Sequence, residues 1–173
     1  LVEYSQDAEA IYIWGLDDDG DSSIWKSTND GQTFSKKRHV KDNANINDWV
    51  ITDDRTIYAA TDEDGFYKTV NSGLSWTGTD VDGAMNDIAL SPAFDEDEFI
   101  CLGGRNGEVL LSDDAGDSFD DTGAALTGDV FVAFDADYAN NGTFYAASDD
   151  GTDLVVERFK DDDEWGIDRS KWL

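Results

Sequence analysis

The chain has 173 residues, 40 acidic against 12 basic, for a formal charge of −28. A field this negative excludes a nucleic-acid-binding surface and disfavours anionic membranes and polyanionic substrates. Hydrophobic residues at 39% and aromatics at 12% exclude a disordered acidic tail and leave room for one domain with a sizeable core.

Most of the acid is Asp, which favours turns over helices. One cysteine, Cys101, rules out an intrachain disulfide and sits in an apolar run, F-I-C-L, as a small buried hydrophobe. No stretch of 18 apolar residues offers a membrane span. The chain shows no signal peptide and does not begin with Met, so it reads as a mature fragment or part of a longer polypeptide.

In chain order, Ile11 to Leu16 is the first expected strand, Asp17 to Asp21 a turn around Gly20, and Ser23 to Ser27 the next strand. Asp48 to Thr52, Thr56 to Thr61 and Phe66 to Val70 then repeat the order, with D-E-D-G before the last of them. A third round is Asp87 to Ser91, Phe99 to Gly103 and Glu108 to Ser112, with a longer connection from Pro92 to Glu98. A fourth is Val130 to Asp135, Thr143 to Ser148 and Leu154 to Phe159. No helical periodicity is sustained. The segments after each round, such as Ser35 to Lys41, are short and polar, as outer edge strands are.

One eight-residue pattern closes the first three rounds: S-T-N-D-G-Q-T-F from Ser27, T-V-N-S-G-L-S-W from Thr69 and S-D-D-A-G-D-S-F from Ser112, spaced 42 and 43 residues apart. A fixed period of this size marks a repeat architecture. A hydroxyl comes first (Ser27, Thr69, Ser112). Asn29, Asn71 and Asp114 at the third place are expected to bond their own backbone two residues on. Gly31, Gly73 and Gly116 supply positive φ. Thr33, Ser75 and Ser118 are expected to bond back across the loop, and Phe34, Trp76 and Phe119 to bury aromatic surface. A degenerate fourth copy is read at Arg158 to Trp165.

This pattern resembles the Asp-box, or BNR repeat, S-x-D-x-G-x-T-W, and the likeness covers nearly the whole chain. The resemblance implies an all-β fold, a β-propeller or partial propeller of about four four-stranded blades, roughly 1–41, 42–84, 85–127 and 128–173. A ring closed at four would take Leu1 to Ser5 as the outer strand of the last blade; a larger propeller, or pairing with another copy, is the alternative. The family includes sialidases, xyloglucan-cleaving glycosidases, sortilin-type receptor domains and bacterial or archaeal surface proteins. Its box is remote from the catalytic centre of the enzymes, so the motif speaks for fold and not for activity.

A sialidase would need three arginines around a substrate carboxylate, and Arg38, Arg55, Arg105, Arg158 and Arg169 do not fall in that context. Paired carboxylates of another glycosidase remain open, with Asp48 and Asp87 in the equivalent runs N-D-W-V and N-D-I-A. Their equivalence also fits a repeated structural Asp. Calcium is the one candidate cofactor, at the Asp-rich turn Asp17, Asp19 and Asp21, with D-E-D-G and S-D-D-G as weaker sets; such turns also form without metal. The basic cluster Lys36, Lys37, Arg38 and Lys41 could pair with an acidic neighbouring copy. Trp49 and Trp172 are candidates to stack on sugars, burial being the competing role for Trp49. Together these point to a non-catalytic extracellular or cell-surface module, structural, filament-forming or receptor-like. Its partner is a protein or a second copy, or else a glycan. A carbohydrate-active propeller is the alternative.

Overall fold

The structure, a computed structural model, describes residues 1–7, 9–37, 39–40, 44–63 and 65–160 and the backbone of 168–172. The chain divides into two compact units, Leu1–Asp82 and Gly83–Leu173. Each holds two four-stranded antiparallel sheets in which the strands follow one another in order.

In the first unit, sheet one is β1 (Val2–Tyr4), β2 (Ile11–Leu16), β3 (Ser22–Ser27) and β4 (Ser35–Lys37). Sheet two is β5 (Ile46–Ile51), β6 (Ile57–Thr61), β7 (Phe66–Thr69) and β8 (Thr77–Thr79). Leu1 to Ser5 therefore does not supply the outer strand of the last sheet. Val2 pairs with Ile13 and Tyr4 with Ile11, because a short apolar-polar-aromatic strand fits the open edge of β2. The core between the sheets is Tyr12, Ile24, Ile46, Trp49, Ile51, Ile57 and Tyr67 with small residues around them. All five residues of β6 are buried, since both faces of a middle strand are covered, and its Ala-Ala keeps it thin.

In the second unit, sheet three is β9 (Met85–Leu90), β10 (Ile100–Gly104), β11 (Val109–Ser112) and β12 (Asp120–Asp121). Sheet four is β13 (Asp129–Phe134), β14 (Thr143–Asp149), β15 (Leu154–Lys160) and β16 (Asp168–Trp172). The long connections after β9 and β13 each hold one helical turn, α1 (Phe94–Asp97) and α2 (Tyr138–Asn141). Each turn ends on a left-handed residue, Glu98 or Gly142. Cys101, Val109, Leu111, Val130, Val132, Phe144 and Phe159 form the core between the two sheets. The sheets approach closely at Gly103, where a Cβ would stand 2.5 Å from the Val130 carbonyl oxygen; glycine there is a packing requirement.

Candidate functional site

The three repeated turns share one hydrogen-bond scheme. The first hydroxyl receives the glycine N–H, Gly31 to Ser27 at 3.0 Å, Gly73 to Thr69 at 3.1 Å and Gly116 to Ser112 at 2.9 Å. It donates to the third residue: Ser27 to Asn29, Thr69 to Asn71, Ser112 to Asp114. That third side chain accepts the N–H of the seventh residue, Thr33, Ser75 or Ser118, at 2.9–3.0 Å. The expected bond two residues on is therefore replaced by one four residues on, because the hydroxyl has already taken the glycine N–H. The seventh hydroxyls do bond back, to Asn29, Asn71 and Asp114.

Positions four and five of each turn both have positive φ: Asp30 and Gly31, Ser72 and Gly73, Ala115 and Gly116. This is the pair of left-handed residues that a tight hairpin needs. Burial pushes the Asp114 carboxyl up, but the Ser118 hydroxyl and amide outweigh it and hold it below the usual carboxylate range. The aromatics are less buried than expected. Phe34 stays 39% exposed, its ring 3.9 Å from where a Cβ on Gly31 would stand; Phe119 is half-buried, and Trp76 packs on the first unit's core. The outer edge of a sheet offers the turn itself, and not the core, as the surface to cover. Of the degenerate copy at Arg158 to Trp165, the first three residues end β15 and 161–165 lie outside the described residues, as do Arg38, Lys41 and the Trp172 side chain.

At the Asp-rich turn, Asp17 accepts the Asp19 and Asp21 N–H groups at 3.0 and 2.9 Å, the Ser23 hydroxyl at 3.2 Å and Lys36 Nζ at 2.5 Å. Lys36 and then these amides bring its carboxyl down to about 2. Asp19 and Asp21 are exposed around it. Sequence reasoning missed another set: Asp7, Glu9 and Asp54 place carboxylate oxygens within 4.8 Å of one another. They are brought together by an Asp54 N–H donated to Asp7 at 3.2 Å.

Asp48 and Asp87 lie on the inner strands β5 and β9. Asp87 accepts the Val132 N–H at 2.7 Å, and Asn86 donates to the Val130 carbonyl at 3.0 Å. The Asn-Asp pair thus holds the backbone edge of β13. Asp48 faces Glu3, whose carboxyl burial and then the Asp48 charge push up to about 7. Cys101 is fully buried, its thiol pushed up by burial and then by Asp87. Trp49 is a core residue.

The first unit also contains a buried cation. Lys26, 8% exposed, gives its ammonium to the Asp54 carbonyl, the Asp54 carboxylate at 3.2 Å and the Ser72 hydroxyl at 3.0 Å. Tyr12 donates its hydroxyl to the same carbonyl at 2.8 Å, and the ammonium lies 5.5 Å from its ring centre. The second unit has a cleft of about 1090 Å³ whose lining includes Asp97, Asp135, Tyr138, Tyr145, Arg158 and Lys160. Asp97 accepts from the Ser91 hydroxyl and the Phe99 N–H. Asp135 accepts from Asp137 N–H, Asn141 and the Tyr145 hydroxyl, which hold it below the usual range, the Asp137 amide foremost.

No protein-family model matches the chain, and no curated protein matches it. Among solved structures it is similar to a GH74 enzyme of Niastella koreensis, with a TM-score of 0.71 and 17% identity over 98% of this chain and 29% of that one. It is also similar to YCF48 bound to a D1 peptide, with a TM-score of 0.58 and 14% identity over 93% of this chain and 51% of the other. The chain thus spans about a third and about half of those chains' lengths. The likeness shows the fold: four-stranded antiparallel sheets of β-propeller type.

Proposed function

We propose that the chain is a non-catalytic interaction module of the extracellular or cell-surface kind, with the three repeated turns as Asp-box staples and a protein partner or a second copy as its ligand. The observation that carries this reading is the use made of the Asp87 carboxylate, one of the two inner-strand acids that sequence offered for catalysis. It accepts a backbone N–H from the next sheet, as a structural anchor does. The charge of −28 supports a surface that stays solvated in salty or cation-rich water. The YCF48 structure, with its bound peptide, supports a protein partner for blades of this kind.

The alternative, a carbohydrate-active propeller binding or cleaving a glycan, is favoured by the cleft of the second unit and by the likeness to a GH74 enzyme. A glycosidase needs one carboxyl with a raised pKa to act as acid. Asp135, in the cleft, is shifted the other way by its three donors, and the raised carboxyl, Glu3 beside Asp48, does not line that cleft. Reducing-end release from soluble glucans tests the choice. The interaction module releases none; release that disappears in Asp135→Asn replaces this reading with the enzyme.

Calcium at Asp17, Asp19 and Asp21 would have to displace Lys36 from Asp17. Titration calorimetry on the parent and on Lys36→Ala tests that site. Calcium heat that grows in the variant supports it, and no heat in either removes calcium from the account.

A further inference from the structure

One side-chain pair recurs at the same place in three sheets. Tyr12 lies opposite Lys26, Tyr58 opposite Lys68, and Tyr145 opposite Arg158; sheet three has Cys101 opposite Leu111. In the first unit the work of the pair is visible. Tyr12 and Lys26 of sheet one grip Asp54, in the turn after the inner strand of sheet two, and Lys26 reaches Ser72, the fourth residue of that sheet's motif.

Sheet four carries Tyr145 and Arg158 on a face that also bears Phe131, Ala133, Ala147, Leu154 and Val156, with Asp129 and Asp149 paired at one end and Lys160 at the other. Side chains alternate between faces along each strand. The row Phe131, Ala147, Val156 therefore lies beside the row Ala133, Tyr145, Arg158 on one face. Phe131 is 54% and Leu154 73% exposed there. The opposite face, Val130, Val132, Phe144, Ala146 and Phe159, is the buried core.

Sheet one has the counterpart. Ser5 and Thr52 each follow an inner strand and donate their N–H to the carbonyl of the residue just before the next strand, Ala10 or Thr56. Asp7 therefore stands in sheet one where Asp54 stands in sheet two. Asp30 stands in the first motif where Ser72 stands in the second, and both Asp7 and Asp30 are exposed. The face of sheet one turned away from Tyr12 and Lys26 carries the row Val2, Ile13, Trp25, with Val2 69% and Tyr4 60% exposed. Exposed apolar side chains gathered on one face mark interaction sites.

We propose that sheet one of one copy packs on sheet four of a second copy, with Arg158 reaching Asp30 and the Asp7 turn as Lys26 reaches Ser72 and the Asp54 turn within one chain. The inference rests on the reading of the chain as an interaction module, and it names the occupant and the interface. The contact joins opposite charges in a chain of −28, where most contacts between copies would set acid against acid. It joins two different sheets, so it closes into a ring of two or more copies or runs on as a filament.

Light scattering over a concentration series tests it with Arg158→Asp and Asp30→Arg, alone and mixed, after circular dichroism has shown each variant folded. The parent assembles. Each variant alone sets like charges against each other and assembles roughly tenfold more weakly or worse. The equimolar mixture recovers the parent's assembly, because each variant's changed face meets its complement. A parent that assembles while the variants behave as it does overturns this interface and leaves self-association standing. Variants that lose assembly without recovery on mixing overturn the charge pairing that defines the interface. A parent that stays at 19.0 kDa throughout overturns the interface together with self-association.

Discussion

Replacing Lys26 by Met is expected to loosen sheet one from sheet two while keeping most of the aliphatic stem. The side chain is 8% exposed and its ammonium holds two oxygens of Asp54 and the Ser72 hydroxyl. Breaking a buried ion pair by removing one partner costs about 3–5 kcal/mol, but Asp54 is 38% exposed, so water recovers part of its carboxylate. The Asp54 carbonyl also keeps Tyr12 and Ser72 as donors. What remains is the loss of charge-assisted hydrogen bonds near the surface, about 2 kcal/mol. Urea unfolding followed by tryptophan fluorescence measures it, in the transition of the first unit if the two units unfold separately. A loss below roughly 0.5 kcal/mol, the ordinary scatter of surface substitutions, would mean that Lys26 does not hold the two sheets together. It would also weaken the case for Arg158 as the corresponding grip.

Asp87→Ala should cost about 1–3 kcal/mol, since Val132 loses its acceptor, and Asp87→Asn should recover most of it by keeping an oxygen there; thermal melts of both variants decide. Gly103→Ala should cost about 1–3 kcal/mol by driving a Cβ into the Val130 carbonyl, and a wild-type melting temperature would contradict the close packing of sheets three and four. Glu3 sets a pH dependence. Its folded carboxyl is raised from 4.5 to about 7, so the folded state binds the extra proton and stability falls as pH climbs through that window. Glu3 is half-buried, and after allowance for solvent screening the loss is about 1 kcal/mol. Glu3→Gln should match the parent at pH 4 and be the more stable at pH 8; equal stability at both would show that Glu3 does not titrate this way.

The strands with the strongest apolar runs, such as Ile57–Thr61 and Ile100–Gly104, were legible because both of their faces are buried. The motifs were legible because they repeat and because glycine marks the left-handed step. The outer strands β8 and β12, three and two residues long and largely exposed, have no pattern to read. Leu1 to Ser5 was expected in the last sheet only for a ring closed at four; Val2–Tyr4 pairs with β2 instead, and three residues specify no register. The grip on Asp54 escaped because half of it is a backbone carbonyl and the Glu3–Asp48 pair because its members lie far apart in sequence. A signal for the grip was present: Lys26 and Lys68 both immediately precede a motif, and Tyr12 and Tyr58 are both the second residue of their strands.

The mass of the parent chain in solution, taken by light scattering with calcium and with chelator, tests the interaction module most directly. A concentration-dependent mass above the 19.0 kDa of one chain is expected in both buffers, because the proposed contact runs through Arg158 and Asp30 and not through the Asp17 turn. A mass fixed at 19.0 kDa at every concentration, in both buffers, would contradict self-association.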